Sequence, residues 1–191
     1  MRNICKKLLA VFLIMVLAVF LTSCGGDNGE QPTGGGLQTY DGGEFTISTD
    51  PTWKIITQSE FYPEIPKETV VAFATPEAYS GFFINVNVIR EDLGEEVKSL
   101  DYARANINLS AQNLVDYQKI QEAKAEVGGQ PTLIHIFQAR LNPAEKLIRF
   151  VQLYATKGNY GYIVTGGMLP DTPQEIREKV GSIVTSFQLK L

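Results

Sequence analysis

The sequence predicts an α+β domain, an antiparallel sheet flanked by helices as an α/β/α sandwich, and three observations carry that expectation. Residues 82–90 alternate, with Phe82, Ile84, Val86 and Val88 on one side and Phe83, Asn85 and Asn87 on the other, which is the period of a strand. Leu100, Ala103, Ile107, Ala111 and Leu114 recur at spacings of three and four, one face of a helix over residues 100–115. Three strand-like runs then follow at 130–141, 146–156 and 160–165, divided by the turn signals Asn142-Pro143 and Lys157-Gly158-Asn159. Their order suits an antiparallel meander.

The chain begins with a different kind of segment. Arg2, Lys6 and Lys7 form a positive stretch, residues 8–21 are apolar without a break, and Leu21-Thr22-Ser23-Cys24 closes the run. Fourteen apolar residues fall short of the about 20 that a membrane-spanning helix needs, whereas they match the apolar region of an export signal. The tetrapeptide resembles the lipobox of bacterial lipoproteins. That resemblance implies a signal peptide over 1–23, cleavage before Cys24, diacylglycerol on its sulfur, and often a third acyl chain, such as palmitate, on the new N-terminus. The alternatives are an uncleaved signal anchor and an ordinary secretory signal in which Cys24 is incidental. Residues 24–38 are almost wholly glycine and polar up to Gly36, so they read as a flexible tether, leaving 39–191 as one domain.

Within that domain, residues 44–48 place Phe45 and Ile47 on one side, and residues 53–57 place Trp53 and Ile55 on one side, with Asp50-Pro51 turning between them. Residues 70–74 make a third strand, and 117–127 a further one in spite of many charges. Ser99 is the expected N-cap of the first helix, with Asp101 in its first turn. Thr172, Pro173 and Glu175 read as cap, first position and capping box of a last helix. Its stripe is Ile176, Val180, Ile183 and Val184, and Ser186-Phe187 follow.

Taken in order, Phe45-Thr46-Ile47, Asp50-Pro51 and Trp53, Leu100-Asp101-Tyr102-Ala103, Tyr162-Ile163-Val164-Thr165 and residues 183–187 resemble the PsbP-like family over nearly all of residues 40–191. The resemblance implies an antiparallel sheet between helices and a family whose best-known members are non-enzymatic binding or assembly proteins, small bacterial lipoproteins included. Metal ligation in some PsbP proteins uses histidine with carboxylates. The single histidine here, His135, matches no such position, and no partner-binding residue carries over.

Composition narrows the chemistry. The formal charge is −4, and losing the three cations of residues 1–23 leaves −7, which argues against nucleic acid as an electrostatic partner. The two cysteines are Cys5 and Cys24, so no thiol remains in the domain for a disulfide, a metal site or catalysis. His135 lies in Leu133-Ile134-His135-Ile136-Phe137, where a structural role in a strand outweighs a catalytic one, and no G-x-S-x-G accompanies it. Glu91-Asp92 and Glu95-Glu96 around Gly94 read as a solvated loop rather than a glycosidase pair, and no calcium-loop pattern is present. Gly158, Gly161, Gly166 and Gly167 read as turn and strand-end residues rather than a phosphate loop. Asn108-Leu109-Ser110 matches a glycosylation acceptor by chance, and Trp53 reads as core. Asn85, Asn87 and Phe83 either line a ligand groove or are hydrogen-bonded beneath a helix.

The expected function is a lipid-anchored, non-enzymatic envelope lipoprotein acting as a protein-binding or assembly module. It is held at the cell membrane or outer membrane, on the exported face, through Cys24, and needs no cofactor. The alternatives are a small-ligand-binding lipoprotein, suggested by Tyr62, Tyr79 and Phe83, and an envelope hydrolase using His135.

Overall fold

The computed structural model describes residues 37–190; the expected signal peptide over 1–23, Cys24 and the residues expected to form a tether up to Gly36 lie outside them. Among the described residues the order is β1 (Gln38–Asp41), β2 (Phe45–Thr49), β3 (Lys54–Thr57), β4 (Thr69–Ala74), β5 (Asn85–Asp92), α1 (Ser99–Asn113), β6 (Val115–Val127), β7 (Gln130–Arg140), β8 (Ile148–Lys157), β9 (Tyr160–Met168), α2 (Gln174–Thr185) and β10 (Gln188–Leu189), with a 3-10 turn at Gln58–Glu60. Seven strands form one antiparallel sheet in the order β3-β4-β5-β9-β8-β7-β6, and β1-β2-β10 form a small second sheet. The α+β sandwich is therefore present, with the meander β6 to β9 running from one edge of the large sheet to its middle.

The strand alternation decides what each face of the large sheet holds. Val86 and Val88 of β5, Val164 of β9 and Leu153 of β8 pack with Phe45 and Ile47 of β2, Val180, Ile183 and Val184 of α2, and Phe187. Phe45 meets Phe187 at 5.2 Å and Tyr162 at 6.0 Å between ring centroids. This is the face covered by α2 and the small sheet. On the opposite face Tyr102 and Ala103 of α1 pack with Ile89, Leu133, Tyr154 and Ile163. The strands of residues 44–48 and 53–57 accordingly do not pair with each other. β2 joins β1 and β10, while β3 joins β4, because the Asp50-Pro51 turn passes the chain from the small sheet to the large one.

Two expected caps are not formed. Ser99 is the first residue inside α1 rather than its cap, and its hydroxyl is held by Gln130 Oε1 at 3.0 Å and accepts the Thr156 N–H at 2.9 Å. Helix α2 begins at Gln174 with Pro173 at the cap position. The Thr172 hydroxyl is buried without a hydrogen-bond partner, and its residue instead closes the preceding turn through its N–H to Leu169 C=O at 3.1 Å. Helix α1 also turns a different face inward from the one expected. It buries Ser99, Tyr102, Ala103, Asn106 and Ser110, leaving Leu100 and Ile107 half-buried and Ala111 exposed. Glu91, expected in a loop, closes β5 and is buried.

Gly166 sets how closely α2 lies on β9, since a Cβ there would collide with a methyl of Val180. Overpacking of that kind costs about 1–3 kcal/mol, so Gly166→Ala should lower urea-measured stability by that amount. Combined with Val180→Ala, the loss should be smaller than the sum of the two single losses. Gly181, in the same helix, has open space at its Cβ position, so Gly181→Ala should instead raise stability by about 0.5–1 kcal/mol.

Candidate functional site

One constellation of polar side chains runs across the face of the large sheet that α1 covers. Register places Asn87 of β5 opposite Thr165 of β9, Thr165 opposite Gln152 of β8, and Gln152 opposite His135 of β7. All four are buried, His135 completely. Gln152 is saturated at both ends: its Nε2 donates to Thr165 Oγ1 at 3.1 Å and its Oε1 accepts the Tyr154 hydroxyl at 2.7 Å. The helix above matches this row with small polar residues that bond internally. Asn106 Nδ2 donates to Tyr102 C=O at 3.0 Å, and the Ser110 hydroxyl to Asn106 C=O at 3.0 Å. The Tyr102 hydroxyl donates to Glu91 Oε2 at 2.6 Å. Burial pushes the Glu91 carboxyl up, so the strand-end acid is held by a phenol rather than by a cation.

His135 is the residue on which sequence reading left a chemical role open. Its Nε2 is 2.9 Å from the Tyr117 hydroxyl, its ring stacks on Phe137 at 4.6 Å, and Phe137 stacks in turn on Phe150 at 4.9 Å. Nδ1 is buried without a partner. Burial first, and the Lys119 ammonium second, lower its pKa to about 4. A hydrolytic histidine needs an activated hydroxyl on one nitrogen and an orienting acid on the other. Here one nitrogen meets a phenol and the other meets no hydrogen-bonding group, so the arrangement supports a packed core residue. Asn87 shares the row, and Asn85 donates through Nδ2 to Phe83 C=O at 3.0 Å. That pattern corresponds to buried, sheet-face asparagines rather than a ligand groove. Among the described residues no cluster of three metal-ligating side chains occurs, and no helix is long and apolar enough to cross a membrane.

The open site lies elsewhere, and residue spacing alone does not reveal it. Helix α2 lies mainly over β9, β8 and β5 and makes at most marginal contact with β7 and β6. Beside it runs a groove of ≈ 490 Å³ floored by Ala123, Ile134, Ile136, Val151 and Met168, a volume within the range of small-molecule sites. Gln174, Arg177, Glu178 and Ser182 of α2 wall one side, and Gln121 and Arg149 stand at the other. Arg149 forms no ion pair among the described residues, whereas Lys179, on the same helix as Arg177, pairs with Asp50 and Glu175. A second cleft of ≈ 730 Å³ runs along the edge of α1 beside β6 and the start of β7, lined in part by Leu100, Arg104, Glu122 and Lys124. Of the aromatic residues expected near a ligand, Tyr79 donates to Asp171 C=O at 3.1 Å and Tyr62 is exposed. Neither lines the groove.

The low pKa of His135 has a defined consequence for stability. The unfolded ring titrates near 6.5 and the folded one near 4, so in that interval the unfolded chain holds the extra proton. Stability from this group is complete above pH 6.5 and is lost as pH falls toward 4, on the order of 2–3 kcal/mol. His135→Gln keeps an acceptor for the Tyr117 hydroxyl but has no titrating ring. Urea titrations at pH 7 and pH 4.5 should show a smaller acid loss in the variant; an equal loss in both chains would mean that the ring is not the sensor.

No family model and no curated protein matches this chain. Solved structures do match. The chain is similar to cyanobacterial PsbP (CyanoP) from Synechocystis at 13% identity and a TM-score of 0.57, over 89% of this chain and 99% of that one. It is similar to the Saccharomyces cerevisiae Ran-binding protein Mog1p at 10% identity and a TM-score of 0.53, over 82% and 96%. A Pseudomonas aeruginosa protein of unknown function follows at 12% identity and a TM-score of 0.51, over 78% and 94%. At such identities the likeness concerns backbone architecture alone, and on that ground the domain has the Mog1/PsbP-like fold.

Proposed function

We propose that this chain is a lipid-anchored, non-enzymatic lipoprotein of the cell envelope whose domain works by binding another protein. The observation that carries this reading is the contrast between its two polar surfaces. The buried row of His135, Gln152, Thr165 and Asn87 is shut beneath the packed sheet face, while the groove beside α2 is open and apolar-floored. Leu21-Thr22-Ser23-Cys24 and the glycine-rich residues that follow supply the anchor and the reach in this reading. Two or more acyl chains hold a protein stably where one holds it only marginally. Mog1p is described as a Ran-binding protein, so the fold is compatible with partner recognition. The groove volume favours reception of a small apolar ligand as the second reading.

The test is capture of partners by crosslinking in intact envelopes, comparing the parent chain with Cys24→Ala and Ser182→Arg. Ser182 is an exposed helix position on the groove wall, so an arginine there obstructs the groove without entering the core. The reading predicts one reproducible partner that is lost in both variants while the unfolding midpoint of Ser182→Arg stays unchanged. Capture that survives the groove substitution would contradict it. A thermal shift with apolar metabolites and no captured protein would favour the second reading.

A further inference from the structure

Strand β6 is the last strand of the large sheet and the longest, 13 residues from Val115 to Val127. An edge strand offers a row of unpaired backbone groups and is ordinarily guarded by bulges, charges or a covering element. The first half of β6 is guarded in this way. Its register shifts between Val115 and Gln118 and again between Lys119 and Gln121, and Asp116 has a φ of 52°. The second half has no bulge and carries only the charges of Glu122, Lys124 and Glu126, which alternate in sign. Gln121 to Val127 pair with β7 without interruption, neither helix covers them closely, and most of their side chains reach solvent.

The hairpin turn tells which amides point outward. Gly128 and Gly129 have φ of 58° and 75°, a two-residue turn with both central residues left-handed, so Val127 and Gln130 form a hydrogen-bonded pair. Counting back, Val127, Ala125, Ala123 and Gln121 address β7, and Glu126, Lys124 and Glu122 present their N–H and C=O groups to the open edge. We infer that this edge pairs with the same edge of a second copy of the chain, antiparallel, about a two-fold axis at Ala123. In that register Glu122 of each copy stands opposite Lys124 of the other, giving two opposite-charge pairs at the seam. Shifting the axis to residue 122 or residue 124 sets two glutamates or two lysines against each other instead. Both side chains are exposed and form no ion pair within the chain among the described residues. Ala123, on the axis, is small enough for close approach. Pairing would also continue the floor of the groove, of which Ala123 and Gln121 are the outer rim. Confinement of anchored chains to a membrane would raise their effective concentration.

The inference is independent of any other partner and is tested by register. Across a non-hydrogen-bonded antiparallel pair the Cα atoms lie about 4.5 Å apart, within disulfide reach. The native cysteines are Cys5 and Cys24 alone, and the parent chain controls for both. On mild oxidation of envelopes with copper phenanthroline, Ala123→Cys should give a disulfide-linked dimer. Gln121→Cys should give little, because Gln121 faces Ala125; mixing Gln121→Cys with Ala125→Cys chains should restore the crosslink. In the Ala123→Cys chain, Glu122→Lys or Lys124→Glu alone should cut dimer yield about tenfold, since two attractive pairs become repulsive, and both together should recover it. Absence of dimer at 123, equal yields at 121 and 123, or a double reversal that fails to recover would each overturn the inference.

Discussion

A seven-stranded sheet wider than its helices can cover is the constraint from which the rest of this structure follows. At about 4.8 Å between strands the sheet is roughly 29 Å across, while a packed helix covers about 10 Å. One face receives α2 and the small sheet β1-β2-β10, and the other receives α1. On one face α2 gathers over β9, β8 and β5, where Val86, Val164 and Leu153 are buried, and on the other α1 lies chiefly over β8 and β7, where Tyr154 and Leu133 are buried. Less cover reaches β6, whose exposed and half-buried residues predominate. The groove beside α2, the cleft beside α1 and the open backbone edge are three consequences of that same shortfall.

The face beneath α1 shows a different solution to burial. Its core is partly polar, and burying unpaired polar groups is costly. The cost is offset locally: Gln152 bonds to both Thr165 and Tyr154, and Asn106 and Ser110 bond to carbonyls of their own helix. Ser99, with Gln130 and Thr156, ties the start of α1 to the sheet. Tyr102 lies against Gly161, where any Cβ would meet its ring. The atoms left unpaired on this face, Nδ1 of His135, Oδ1 of Asn87 and Oε1 of Glu91, lie in the interior. The row therefore lies in the interior beneath α1, while the open surface lies along the uncovered flank.

Much of the fold was legible because period and packing agreed. The alternation expected over residues 82–90 separates the faces correctly from Asn85 on, where β5 begins, with Val86 and Val88 toward α2 and Asn85 and Asn87 away from it, while residues 82–84 lie outside the strand. The meander followed from its turns, and β6 emerged despite its charges because its partner β7 is strongly apolar. Helix α1 was legible in extent and only partly in orientation. Of the stripe Leu100, Ala103, Ile107, Ala111 and Leu114, Ala103 is buried, Leu100, Ile107 and Leu114 pack at the core's margin and Ala111 is exposed, while the helix also turns inward Ser99, Asn106 and Ser110, whose burial depends on bonds that only the folded helix and sheet provide. Thr172 carried every local mark of a cap and lost that role to the turn before it. The short strand β10 arises from pairing with β2 across more than 140 residues of chain, which no local pattern records. The groove was illegible for the same reason, since it is set by where α2 stops over the sheet.

The central claim is that this molecule meets others through the flank formed by β6, β7 and the exposed side of α2. Hydrogen–deuterium exchange by mass spectrometry tests it most directly, comparing the parent chain in its native envelope with the Cys24→Ala chain in dilute solution. The account predicts protection gained in the envelope over residues 121–127 and 174–185, with β3, β4 and the small sheet unchanged. Protection gained at the β3 edge instead, or no difference anywhere, would contradict it.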